Sequence, residues 1–292
     1  ARGGFPFRLE ARVLEPKAAF AAGRKAWTWM PARAVFSARP WALDRVTLDL
    51  SGAHAIIPAG ENSKAGWRAR ADGLTVEARL RGPTATALAL AGERIDIEGP
   101  ATAENFAAAS VALNWRRADV LPADHRSESQ AFEIAAVGVR LSERARLPLG
   151  SDIAHLKIAG RVMGELTSLR PGMGPGALGS WRDGGGTVEI AALEGRYGAL
   201  QFAGEGTLAL DGAMQPLAAL TARIEGYGEA IDALRAKGAM SPRDAATAKL
   251  ILAALAQRNG NGRPHLAVPV AIQEGLLFAG PVTLLRVPPI PW

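Results

Sequence analysis

The sequence predicts a mainly β chain: a long antiparallel sheet with a helix pair near the C-terminus. Three observations carry that prediction. Well over ten segments alternate apolar and polar residues with period two, the pattern of half-buried strands. The 33 Gly and 19 Pro fall mostly between those segments and read as turns. Helical spacing is clear in one region only, which favours an antiparallel meander over βαβ units.

The first strand is Phe5 to Val13, with Phe7, Leu9, Ala11 and Val13 on one side and Arg8, Glu10 and Arg12 on the other. Pro6 is tolerated at a strand start. Trp27 and Trp29 flank a threonine and share a face if that stretch is a strand, and Pro40-Trp41 marks a bend. Val46/Leu48/Leu50 and Leu74/Val76/Ala78/Leu80 alternate cleanly with polar residues. Shorter strands follow at Leu88/Leu90, Ile95/Ile97, Val111/Leu113/Trp115, Phe132/Ile134, Val137/Val139/Leu141 and Leu156/Ile158. Residues 101–109 suit one or two helical turns, and 119–130 suit a loop.

From 168 to 186 Gly and Pro dominate, with Trp181 embedded, which reads as a linker or long loop. It divides the chain into 1–167, 168–186 and 187–292, unless the whole forms one continuous domain. Beyond it, residues 206–212 form a short strand between glycines, and Leu220/Ala222/Ile224 another. A helix pair over 229–258 follows. Ala230, Ile231 and Leu234 carry the first helix, which ends at Lys237-Gly238. Ser241 as N-cap, Pro242 at the first turn and Asp244 start the second, whose stripe is Ala245, Ala248, Leu252 and Leu255. Leu266, Val268, Val270 and Ile272 resume alternation, and Glu274-Gly275 turns the chain into Leu276-Leu277-Phe278.

Composition narrows function. The formal charge is +6, yet the 34 basic residues are spread along the chain with no basic run. With aromatics scarce, nucleic acid is not an expected partner. Weak attraction to anionic lipid head groups suits diffuse charge at least as well. Without cysteine, disulfides, thiolate nucleophiles and Cys-based metal sites are excluded. No stretch of 18 apolar residues spans a membrane.

Catalytic signatures are absent. The four histidines, His54, His125, His155 and His265, have no ligand spacing, and no GxSxG or GxxxxGK[ST] occurs. A literal GxGxxG at Gly174, Gly176 and Gly179 contains Pro175 and opens no predicted helix, so it reads as loop. Carboxylates such as Asp44/Asp49 and Asp96/Glu98 fall on polar strand faces. The chain is therefore expected to be no enzyme and to need no metal or cofactor. A hydrolase would require His125 or His155 beside carboxylates in a cleft.

What remains is the extent of apolar strand face. It has to close on a second sheet, lie under helices, or curl into a trough for a lipid tail. Trp27, Trp29 and Trp41 are core in the first case and membrane-proximal at a groove mouth in the last.

Gly4-Phe5-Pro6-Phe7-Arg8-Leu9 resembles the start of an uncharacterised Gram-negative (alphaproteobacterial-type) envelope family, a domain of unknown function. In that family a Tyr-Pro-Phe-Arg-like motif follows a single N-terminal membrane helix. Pro40-Trp41, residues 206–211, 272–281 and the late Pro288-Pro289 are similar too. That family is distantly similar to AsmA-like inner-membrane proteins. The resemblance implies a curved sheet, a groove or half-barrel, facing the periplasm. It also implies an anchor preceding Ala1 and work in lipid binding or transfer. On that reading Leu208, Leu210, Leu266, Val268, Val270, Ile272 and Phe278 line the lipid groove. The alternative is a non-catalytic module that docks an envelope protein by strand addition.

Overall fold

The computed structural model describes residues 2–3, 7–22, 25–58, 66–101, 104–145, 149–166, 175–258 and 264–290. Residues 4–6 of the opening motif lie outside them. Away from the N-terminal end, most strands pair with the one before them in the chain. At the N-terminal end lie β1 (Arg2–Gly3), β2 (Leu9–Leu14), β3 (Ala18–Ala22), β4 (Lys25–Pro31), β5 (Arg33–Arg39), β6 (Ala42–Asp49) and β7 (Gly52–Pro58). Here β2 pairs with β5 and β5 with β6, while β3 pairs with β4 and β4 with β7. Both branches meet the two halves of the long β8 (Trp67–Arg81). Three long strands, each broken once in the middle, therefore run side by side.

From β8 the meander continues through β9 (Thr84–Glu98), β10 (Phe106–Arg117), β11 (Glu128–Leu141) and β12 (Asp152–Met163). After helix α1 (Pro175–Asp183) come β13 (Thr187–Tyr197), β14 (Leu200–Leu210) and β15 (Pro216–Glu225). Helices α2 (Tyr227–Ala236) and α3 (Pro242–Leu255) follow, then β16 (Gln257–Arg258), β17 (Pro264–Gln273), β18 (Leu276–Ala279) and β19 (Val282–Arg286). Every pairing is antiparallel, and β17 docks on β15 across the helix pair.

This is the mainly β architecture with C-terminal helices that alternation predicts, and the sheet is a single open layer. Its accessible surface is 18058 Å². A compact 30.5 kDa chain would expose about 12,000 Å². No second sheet is stacked on the first among the described residues.

The breaks in the long strands align as a crease across the sheet. Glu15 (φ 48°) and Arg94 (φ 44°) are left-handed, as are Gly52 and Gly138 (φ 60°). Pairing skips Asp72 opposite Arg94, and Gly138 opposite Ala154. Such irregularities bend strands and curve a sheet. Polar contacts hold the crease. Ser51 donates from its Oγ and its N–H to Asp49 Oδ1 (2.7 and 2.8 Å) and accepts from the Leu74 N–H (3.1 Å). Those hydrogen bonds, ahead of the charge of Arg33, hold the Asp49 carboxyl below its ordinary range. Gly138→Val is expected to cost about 2 kcal/mol in chemical denaturation, because a β-branched residue is strained at positive φ and its Cβ would lie 3.0 Å from that of Ala109.

Three expectations are corrected. The Gly/Pro-rich segment contains α1, whose Trp181 is buried and donates from Nε1 to the Met163 carbonyl at 2.8 Å. A helix therefore does begin at Pro175, inside the GxGxxG stretch, whose Gly174 lies outside the described residues. The dinucleotide geometry still fails, because β12 and β13 on either side are antiparallel neighbours. Residues 106–109 are strand rather than helix, held by β9 and β11. Residues 206–210 are the end of an eleven-residue strand, not a short one of their own.

The helix pair forms as its residues dictate. Ser241 Oγ accepts from the Asp244 N–H at 3.1 Å, Pro242 opens α3, and Gly238 (φ 71°) closes α2. Ile231, Ala245, Ala248 and Leu252 pack on Leu266, Val268 and Ala279, a core cluster that seals one end of the sheet. Leu255, at 42% exposure, stands outside it.

Candidate functional site: an uncovered apolar sheet face

Directly paired residues in an antiparallel sheet share a face. The register therefore traces one apolar row across eleven strands: Phe36, Leu48, Val76, Leu90, Leu113, Ile134, Ile158, Leu193, Gly204, Ala222 and Val268. At ordinary strand spacing it runs on the order of 50 Å. A parallel row holds Val46, Ala78, Leu88, Trp115, Phe132 and Gly160. Phe132 lies across Gly160 and Phe202 across Gly195, where an added Cβ would meet each ring at 3.0 and 2.5 Å. These aromatics lie flat and fill gaps between strands.

The face continues past the crease. A Cβ on Gly92 would meet Ile95 Cδ1 at 2.7 Å, so residues on either side of left-handed Arg94 point the same way. Along the rows most side chains are only half-buried, and Phe36, Ile134 and Leu156 are exposed. The helix pair covers the Val268 end. Ala34, Leu50, Ala71, Ala108 and Ile190 of the same face are also buried, while the row from Phe36 to Ala222 stays half-buried or exposed.

The residues expected to line a groove separate into three groups. Leu208, Leu210, Val270 and Ile272 are half-buried and share the apolar face. Leu266 and Val268 share it too, but at 1% and 3% exposure they are closed under α2 and α3 and leave no room for a guest. Phe278 pairs with Ala271, whereas Val270 pairs with Ala279, so Phe278 belongs to the opposite face. The tryptophans divide as well. Trp27 and Trp29 share a face on β4, while Trp41 is exposed in the β5–β6 turn at the far end of the same long strand. The structure does not bring the three together.

Trp29 stacks on His54 (ring centroids 6.0 Å apart) and donates from Nε1 to His54 Nδ1 at 3.3 Å. His54 Nε2 is buried without a partner, and burial pushes the His54 pKa down. The folded state thus holds the imidazole neutral, while the unfolded chain takes up a proton below pH about 6.5. The melting temperature is expected to be full above that pH and to fall as pH drops through it. His54→Gln should flatten this slope in melts between about pH 8 and pH 5.5.

The other face alternates alanines with charges. It carries a shallow recess of about 970 Å³ whose walls include Arg45, Arg79, Arg116 and Arg161, floored by Ala87, Ala131 and Ala159. Sequence reading missed this row, although arginines on the polar side of successive strands were the available signal. Among the described residues no cluster of three or more acidic or histidine side chains could hold a metal ion. No described helix is long and apolar enough to cross a membrane.

No curated protein and no solved structure matches the chain. A family model does match it, over residues 1–288. The chain thus belongs to the bacterial family described as "Uncharacterized protein conserved in bacteria (DUF2125)".

Proposed function

We propose that this chain binds or transfers lipid in the bacterial envelope, laying acyl or other apolar tails along the single-layer sheet. The observation that carries the reading is the apolar row from Phe36 to Ala222, which runs over ten strands without a second layer against it. Monomeric proteins rarely leave such a surface without an occupant. Covering half the surface of a tail of roughly sixteen carbons is worth about 6 kcal/mol before ordering costs. Such binding needs no catalytic constellation, no metal and no cofactor, and the chain is proposed to be non-catalytic. A periplasmic position with an inner-membrane anchor rests on the envelope-family resemblance.

Lipid extraction and native mass spectrometry of protein purified from cells test the reading. About one or more lipid molecules per chain is the expected result; protein that is uniformly empty would contradict it.

A second reading is favoured by the open edges. The edge formed by β2 and β3 carries only the two-residue β1, and β19 ends the other side. Either edge suits docking of an envelope protein by strand addition. A stoichiometric protein partner recovered without lipid would favour this reading over the first.

A further inference from the structure

Arg45 on β6 and Arg79 on β8 are direct cross-strand partners, with Cα atoms about 5 Å apart on the alanine-rich face. Like charges set directly opposite destabilise a sheet. The row extends from Arg79 through Ala87 to Arg116, and through Ala131 to Arg161. Arg116 and Arg161 are neutralised by Glu128 and Glu189 at 2.8 and 2.9 Å. Arg45 and Arg79 have no carboxylate within ion-pair distance among the described residues, even though Glu77 is one step along the same face. The recess around them is lined by six arginines and two glutamates. The recess holds about 970 Å³, and its alanine floor leaves room for a compact anion.

We propose that Arg45 and Arg79, flanked by Arg116, bind a phosphate group, presented free or as the headgroup of an anionic phospholipid. Guanidinium forks match phosphate oxygens in bidentate fashion, and an anion between the two arginines turns their repulsion into shared attraction. This proposal does not rest on acyl binding, because the arginine row and the apolar row occupy opposite faces of one layer.

The test combines thermal melts of the full chain with vesicle cosedimentation. Sodium phosphate should raise the melting temperature above sodium chloride at equal ionic strength. R45A/R79A should abolish that rise, while Arg223→Ala, on the same face outside the recess, should retain it. Without phosphate, Arg79→Ala should melt no lower than wild type, since the repulsion is relieved. Phosphatidylglycerol vesicles, but not phosphatidylcholine vesicles, should sediment the wild type if the phosphate is a headgroup, with a loss of about tenfold or more in R45A/R79A. A phosphate-specific rise without vesicle binding identifies free phosphate instead. A rise equal in chloride, a phosphate rise that survives R45A/R79A, or the absence of both phosphate and vesicle effects would overturn the proposal.

Discussion

Ile134→Asp is expected to strip co-purifying lipid by about tenfold or more while leaving the fold intact. A carboxylate in the middle of the apolar row must either be desolvated by an overlying tail or keep the tail away, and both outcomes remove several kcal/mol of binding. Ile134 is already 40% exposed, so its change costs folding only about 1 kcal/mol. Ala135→Asp, one residue along on the opposite face and outside the arginine recess, should leave lipid content unchanged. Quantifying phosphorus and fatty acid per mole of purified protein, beside a urea melt of each variant, separates lost binding from lost structure.

Leu266→Ala should be the most destabilising of the changes considered, at about 2–5 kcal/mol. Leu266 is 1% exposed and sits with Leu252, Ile231 and Val268 where the helix pair closes on the sheet. Truncation leaves a cavity that surrounding atoms fill only in part. Leu252→Ala, from the facing helix, should cost a similar amount. Because the two residues share one cluster, the double variant should cost less than the sum. Denaturation of the two singles and the double measures this, and hydrogen exchange should show α2 and α3 losing protection before β9 to β12.

The strands were legible in the sequence because one side of the sheet is apolar and the other is alanine and charge, which leaves a period-two trace in every strand. What lies against an apolar face leaves no such trace. Leu48 and Leu90 would alternate identically in a filled sandwich, and only the fold distinguishes an open layer from a closed one. The crease was hidden because its left-handed positions include Glu15 and Arg94, residue types that carry no turn signal. The side of Phe278 was not legible because Leu276-Leu277-Phe278 is a continuous apolar run without polar alternation, and only its register with the preceding strand sets it opposite Ala271.

Tertiary contacts overrode local preference at two places. Helix α1 has the sequence PGALGSWRD, poor in helix formers. It is anchored by Trp181, whose ring lies against Gly186 so closely that an added Cβ would sit 2.3 Å from it. The alanines at 107–109 favour helix, yet Ala107 pairs with Asp96 on one side and Arg140 on the other. The helix pair, by contrast, was readable nearly to the residue. Its caps are local chemistry, with Ser241 and Gly238 doing what those residue types do in isolation.

The most direct measurement is photocrosslinking in living cells with a benzophenone side chain placed at position 134 or at position 135. These neighbours project from opposite faces of β11, so they share everything except which side of the layer they occupy. Lipid adducts at 134 and none at 135, which lies outside the arginine recess, is the predicted result. Equal labelling at both positions, or lipid at 135 alone, would contradict the assignment of the apolar face as the lipid surface.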